Sequence, residues 1–283
     1  MYLQILPADQ FTIEELTDFY NQTRVDYLVP MPMSVDVMAE YIHDFDVDTH
    51  RSIVITDGEN DQALGLGMLG IRDTDAWVTR LGVIPSTRRH GTGATILNGL
   101  LDESQKIGAK KVILEVIKKN TPARNLFSKN GFRETNEYLV LRRAPLRSSS
   151  TPEGHITWLY RKDALAILRT YPHRLTWINA IRSMENASMF QGFAIELPNG
   201  SRGWMIFRHK KHSITHFVFH TEQGDPVEVA RNLLLHLHQH YHRMDAYAEN
   251  FLADDPHLPA FFDLGYFEAF RRIEMIRDNT ISA

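Results

Sequence analysis

The sequence predicts an α+β protein made of two similar halves. Three observations lead there. Apolar runs of strand type alternate along the chain with segments whose apolar residues recur at helical spacing. One segment, Ala144 to Gly154, is rich in Ser and Pro, has no apolar period and divides the 283 residues nearly in half. A short helix-type segment that ends at Gly, followed by an aromatic that opens a strand, occurs twice, at Asn120 to Phe132 and at Asp255 to Tyr266. That echo marks a diverged duplication; with only two copies and so long a period, a solenoid is excluded.

In the first half a strand is expected at Tyr2 to Leu6, then helices at Thr12 to Arg24 and Ser34 to Asp44. Thr12 is placed to cap the first of these, with Glu15 closing a capping box. Strands follow at Ser52 to Thr56, Ala63 to Ile71 and Ala76 to Ile84, the first two joined by a turn at Asp57, Gly58 and Asn60. A helix from Arg89 to Ile107 carries Ile96, Leu97, Leu100 and Leu101 at helical spacing and stops at Gly108. A strand at Val112 to Ile117, a helix at Pro122 to Lys129 with its Pro in the first turn, and a strand at Phe132 to Arg142 complete this half.

The second half repeats the order. A strand at His155 to Tyr160 precedes helices at Arg161 to Thr170 and Arg174 to Glu185. Phe190 to Leu197 and Trp204 to Arg208 form a hairpin over Pro198, Asn199 and Gly200. Ile214 to His220 is a strand, Pro226 to Tyr241 a helix, Met244 to Glu249 a strand, Pro256 to Leu264 a helix and Tyr266 to Ile276 a strand.

Composition bounds the chemistry. The chain is 43% apolar and 23% charged, ordinary for a soluble globular protein, and its net charge of −4 argues against nucleic acid as a partner. It has no cysteine, which excludes disulfides, thiolate catalysis and Cys-based zinc sites. No run approaches the ~18 apolar residues of a membrane span. Met1 to Asp9 lacks the basic-then-apolar pattern of a targeting segment, so a cytoplasmic protein without a membrane partner is expected. Charge is uneven: Lys106 to Arg147 holds eleven Lys and Arg against three Glu, whereas Pro30 to His50 holds five Asp and Glu and neither Lys nor Arg. These are two solvated faces on one reading. On the other, an anionic ligand docks on the basic part and a cationic acceptor near the acidic part.

The most specific motif is Leu81-Gly-Val-Ile-Pro-Ser-Thr-Arg-Arg-His-Gly-Thr-Gly93, where an apolar strand runs into an Arg-x-x-Gly-x-Gly turn with a helix directly after it. Glycines let the main chain approach phosphates, several N–H groups then point at the anion, and the helix N-terminus adds partial positive charge. The spacing suits a diphosphate.

With this turn in place the first half resembles the GNAT superfamily of N-acetyltransferases. The carriers are Val83-Ile-Pro, Arg88-x-x-Gly91-x-Gly93, Asn120-x-x-Ala123 and Leu126-Phe127-x-x-x-Gly131-Phe132, in that order. The resemblance covers Met1 to Arg143 by motif and Thr151 to Ile276 by topology and the Gly265-Tyr266 element, so the whole chain resembles tandem two-domain members of the family. It implies two GNAT-like domains, 1–145 and 152–283, each a mixed, mostly antiparallel sheet flanked by helices. It also implies acetyl-coenzyme A, or another acyl-coenzyme A, as donor and co-substrate, with no metal. Leu81, Gly82 and Val83 would pair with the pantetheine arm and hold the thioester carbonyl near their N–H groups. Arg88, Arg89, His90, Gly91, Thr92, Gly93 and Ala94 would hold the pyrophosphate. Asn120 would reach the pantetheine arm, Ala123 would let it pass, and Phe127 lies where many members carry a Tyr general acid. The second half departs from the pattern. Thr221-Glu-Gln-Gly-Asp-Pro226 replaces the Gly-rich turn, putting Glu222 and Asp225 where a phosphate would go, while Pro226 removes one N–H donor. That half is expected to bind no coenzyme A and to be structural or acceptor-side.

The implied reaction is attack of a neutral amine on the thioester, on a small-molecule or peptide acceptor, by a monomer or homodimer. Phe127 has no proton to give. Either the thiolate leaves unaided or another group serves, Tyr138 on the last strand of this half being a candidate. Glu115, beside the cofactor strand, is a candidate base; His43, Asp44 and Asp46 lie in the acidic segment. A non-catalytic coenzyme A sensor or scaffold is the competing reading, favoured by Phe127.

Other constellations read as structural. His236 and His240, and His238 and His242, share helix faces, but no Glu follows the first His as a His-Glu-x-x-His zinc site requires. Asp44 to Asp48 begins like a calcium loop yet has Thr49 at position six and Ile55 at position twelve. Ser148 to Ser150 has no nucleophile elbow around it. Trp158, Tyr160, Trp177 and Trp204 read as core.

Overall fold

A computed structural model describes residues 3–59, 62–147 and 150–279; Tyr2, Asn60, Ser148 and Ser149 of the expectations above lie outside them. The chain forms two compact units, of described residues 3–136 with 273–279, and of 137–272. The division falls inside two strands, between residues 136 and 137 and between residues 272 and 273.

The first unit contains β1 (Leu3–Pro7), α1 (Ile13–Thr23), α2 (Val35–Asp44), β2 (Ile53–Asp57), β3 (Gln62–Arg72), β4 (Asp75–Val83), α3 (Thr92–Lys106), β5 (Lys111–Ile117) and α4 (Thr121–Lys129). The first residues of β6 (Arg133–Arg143) and the last of β12 (Phe267–Asp278) complete it. Its strands lie in the order β1-β2-β3-β4-β5-β12-β6. β1 to β4 pair antiparallel, and β4 with β5 parallel. The capping box of α1 is formed: Thr12 Oγ1 accepts from the Glu15 amide at 3.2 Å, and Glu15 accepts from the Thr12 amide at 2.8 Å. Ile96, Leu97, Leu100 and Leu101 of α3 pack into a core with Ile53, Leu69, Val112 and Leu114. Ile273 and Met275, from the far end of the chain, belong to the same core.

The second unit takes the rest of β6, then β7 (His155–Leu159), α5 (Arg161–Arg169), α6 (Ile181–Asn186), β8 (Phe190–Glu196), β9 (Arg202–His209), β10 (Ser213–Gln223), α7 (Pro226–His240), β11 (Asp245–Leu252), α8 (Leu258–Asp263) and the start of β12. Its strand order is β12-β6-β11-β10-β9-β8-β7. Here too one pair, β10 with β11, is parallel. The core is rich in rings: Phe193, Phe207, Phe217, Phe219, Phe251, Phe261 and Tyr266.

Two helices differ from expectation. Arg174 to Glu185 is not one helix but a 3-10 turn at Trp177–Asn179 followed by α6. Trp177, Ile178 and Asn179 are all buried, which no helix with a single apolar face allows, and Ala180 between the two pieces is extended at φ −65°, ψ 157°. The helix expected from Arg89 begins at Thr92, because Arg89 and Gly91 take φ of 68° and 86°. Among the described residues no helix is long and apolar enough to cross a membrane.

Candidate active site

β4 and β5 pair over three rungs, Asp75 with Lys111, Ala76 with Val112 and Trp77 with Ile113, and then part. The β3–β4 register shifts between Leu66 and Met68, and within that irregularity Arg80 takes φ 52°. β4 thus swings away from β5 and opens a fork. The Ile84 amide donates to the Leu64 carbonyl at 2.8 Å. Main-chain groups of successive strand residues point opposite ways, so Val83 and Leu81 turn theirs away from β3 and into the fork. Two arginines meet them there. Arg24 Nη2 donates to the Leu81 carbonyl at 3.1 Å, and Arg88 Nε to that of Val83 at 3.0 Å.

Arg88 is a tie, not a free cation. Its Nη1 and Nη2 bond Asp26 at 2.8 and 2.7 Å, and Nη2 also reaches the Thr23 carbonyl at 3.2 Å, pinning the turn to the end of α1. The hydrogen bond from Arg88 holds the Asp26 carboxyl below its ordinary range. Arg89 and His90 are exposed. Gly91 is the N-cap of α3 in the left-handed region, and α3 has neither a side-chain cap nor an acidic residue in its first turn. The amides that open the helix at Thr92, Gly93 and Ala94 are therefore without a side-chain acceptor. A Cβ on Gly93 would stand 3.5 Å from Val83 and 3.6 Å from Leu126, ordinary contact, so the protein itself does not demand glycine there. Gly82 is different: its Cβ would meet Thr23 Oγ1 at 2.4 Å, so this glycine admits the end of α1.

Asn120 is the N-cap of α4. Its Oδ1 accepts from the Ala123 amide at 3.3 Å, and its Nδ2 donates to the Tyr27 hydroxyl at 3.3 Å. Ala123 packs at the edge of the core, and Phe127 turns fully into it, its ring 5.9 Å from Phe132. Glu115 lies two residues beyond the last β4–β5 rung, where Trp77 Nε1 donates to its Oε2 at 2.7 Å. Tyr41 sits beside Trp77, with ring centroids 6.1 Å apart, and its hydroxyl bonds Thr79. Burial pushes the Tyr41 phenol up to about 12. The guanidinium of Arg80 lies 4.0 Å over the Tyr41 ring. Tyr138 belongs to the second unit, buried opposite Leu252 of β11. His43 and Asp44 end α2, Asp44 being buried; Asp46 accepts from Arg72 Nε at 2.7 Å. Sequence reading did not single out Arg24, Tyr27, Trp77 or Tyr41, because each acts through partners distant in the chain.

The second unit repeats the fork with other contents. β10 and β11 also pair over three rungs, Ser213–Asp245, Ile214–Ala246 and Thr215–Tyr247, and β10 is irregular after Thr215, where His216 takes φ 55°. Beyond the rungs, rings bridge the strands: Phe219 lies 6.1 Å from Phe251, and Phe261 of α8 lies 5.2 and 4.8 Å from these two. The N-terminus of α7 is served by its own side chains. Asp225 accepts from the Val227 amide at 2.9 Å, Pro226 has no N–H, and Glu228 stands in the first turn. Glu222 is paired with Arg202 at 3.3 Å. Of the α7 histidines, His238 is buried with Nε2 3.0 Å from the Tyr266 hydroxyl, and burial pushes it down to about 3. His216 is likewise pushed down, to about 4. Among the described residues no group of three or more His, Cys, Asp or Glu is placed to hold a metal ion.

Residues 13–132 match the model of the acetyltransferase (GNAT) family, whose members generally transfer acetyl from acetyl-coenzyme A to amines. The fold of the whole chain is that of tandem GNAT proteins. It is similar to a tandem GNAT protein from the clavulanic acid biosynthesis pathway, at 13% identity over 100% of both chains with a TM-score of 0.69. It is similar also to a GCN5-related N-acetyltransferase from Sphaerobacter thermophilus, at 13% identity over 98% of this chain and 95% of that one, TM-score 0.72. A third, a GCN5-related N-acetyltransferase from Kribbella flavida, shares 16% identity over 98% of this chain and 71% of that one, TM-score 0.56. No curated protein matches the sequence.

Proposed function

We propose that the protein transfers an acetyl group from acetyl-coenzyme A to the amine of a small molecule or peptide, by direct attack on the thioester, and that the first unit alone holds the donor. The observation that carries this reading is the start of α3: a left-handed glycine, then helix amides with no side-chain acceptor, beside a fork into which Leu81 and Val83 turn their main chain. Such a terminus favours a diphosphate. Acetyl-coenzyme A supplies the thioester. The chain's own part is to bind and orient it and to manage protons. Thr92, Gly93 and Ala94 offer amides to the diphosphate, while Arg88 braces the turn through Asp26 rather than spending its charge on the ligand. The Leu81 and Val83 main chain lines the arm, with Asn120 and Ala123 at the start of α4 on the other side. Glu115, oriented by the Trp77 indole, is the base in this reading and takes the ammonium proton of the acceptor.

The second unit binds no donor in this reading. Asp225, Glu228 and Pro226 oppose an anion at α7, and Phe219, Phe251 and Phe261 occupy the space past the rungs. Calorimetry with acetyl-coenzyme A should therefore give one site per chain, and two equivalent sites would refute this division. Phe127, a core residue without a proton, favours a second reading, a coenzyme A sensor without catalysis. Thiol release from acetyl-coenzyme A with a panel of polyamines, amino acids and peptides separates the two: release with any amine supports transfer, and binding with no release supports the sensor.

A further inference from the structure

We infer that Tyr27 is the proton donor to the departing thiolate, the group that Phe127 cannot provide; this rests on the acyl-coenzyme A reading above. Three contacts carry it. The Tyr27 hydroxyl accepts a hydrogen bond from Asn120 Nδ2 at 3.3 Å and donates to none of the described residues, so its own proton is uncommitted. The Arg24 guanidinium lies 4.2 Å from the centroid of the Tyr27 ring. Arg24 in turn reaches the Leu81 carbonyl at 3.1 Å. Through Tyr27 and Arg24, Asn120 at the start of α4 is thus linked to Leu81 on β4, the two segments proposed to line the arm. Both residues come from the end of α1 and the loop after it, which Arg88 ties down through Asp26 and the Thr23 carbonyl.

The step balances without another reactant. The amine nitrogen forms the C–N bond, the C–S bond breaks with its electron pair going to sulfur, and sulfur takes the Tyr27 proton. The proton shed by the acylated nitrogen returns to the Tyr27 oxygen, directly or through water. Arg24 sets a positive charge beside the ring that carries the negative charge in between.

Calorimetry with coenzyme A and with desulfo-coenzyme A, at pH 7 and pH 9, on the wild-type chain and on Tyr27→Phe, tests this without needing an acceptor. A free thiol ionises near ~8.5, so pH 9 presents the thiolate. In the wild type the preference for coenzyme A over the desulfo analogue should grow about tenfold between the two pH values, the size of one charge-assisted hydrogen bond. Tyr27→Phe should show no such growth while binding the desulfo analogue as the wild type does. Equal growth in both proteins, or growth in neither, overturns the assignment of Tyr27 and leaves the donor site intact. Failure of the wild type to bind either compound overturns the coenzyme reading itself.

Discussion

Gly91 and Gly108 stand at the two ends of α3 and make the same demand on the backbone, which allows one to serve as the control for the other. Gly91 takes φ 86° and Gly108 φ 70°, and a Cβ on either would find no heavy atom within 4 Å. Alanine at either position thus meets no steric obstacle, only the intrinsic penalty of the left-handed region, about 1–2 kcal/mol. Urea unfolding should register that loss about equally for Gly91→Ala and Gly108→Ala. Acetyl-coenzyme A affinity should not. At Gly91→Ala the strain falls on the segment from Arg89 to Thr92 and turns the amides opening α3 out of line. A hydrogen bond to a charged group contributes about 1.5–3 kcal/mol, so losing one weakens binding roughly 10- to 100-fold. Gly108→Ala, after the last turn of the helix, should bind as the wild type does. Calorimetry on the three proteins reads this directly. If the two variants bind equally well, the α3 amides are not the anion site, and the functional reading loses its main support.

Three further outcomes are expected. Glu115→Gln keeps an oxygen that can accept from Trp77 and removes the charge, so kcat with a responsive amine should fall roughly 10²-fold or more with little change in thermal stability; unchanged kcat would remove Glu115 as base. Asp225→Ala takes away the cap of α7 and should destabilise by about 1 kcal/mol in urea unfolding, yet create no second coenzyme site, since Pro226 still lacks its N–H. His238 takes up a proton near pH ~6.5 in the unfolded chain but only near about 3 when folded, so between these values the unfolded chain holds more protons and stability falls as pH falls. The slope should approach about 1.4 kcal/mol per pH unit from this residue, and His238→Gln should flatten it in unfolding curves taken between pH 6 and 4.

What the sequence discloses is what local chemistry fixes. The capping box of Thr12 and Glu15, the apolar stripe of α3 and the glycine stop after it depend on residues within a few positions of one another. The turn before α3 is legible for the same reason: its glycines and the helix behind them are adjacent in the chain. Legibility ends where packing decides. Trp177 to Asn179 lies within the segment expected as one helix but is buried at all three residues, and the segment forms a turn and a shorter helix. Ile273 and Met275 enter the core of the first unit, which no periodicity announces. The proton-handling groups are hidden in the same way. Trp77 and Glu115 lie on different strands, and Tyr27 meets Asn120 across 93 positions. Arg88 reads as a phosphate ligand from its place in the motif, whereas its guanidinium serves Asp26 and two carbonyls.

The two forks show how little of this chemistry resides in the fold. Each has three parallel rungs, a strand irregularity and a left-handed residue, Arg80 in one and His216 in the other, and each is followed by a helix of fifteen residues. What separates them is a few side chains. At α3 the cap is a glycine and the first turn carries no acid; at α7 the cap is an aspartate, the next residue is a proline and a glutamate follows. Past the rungs, one unit leaves main-chain groups turned outward and the other sets phenylalanines between its strands. A helix N-terminus can satisfy its amides with its own carboxylate or hold them for an anion from outside, and the same amides cannot do both. A duplicated fold with one terminus of each kind is therefore a scaffold used twice and, in the reading above, a donor site kept once.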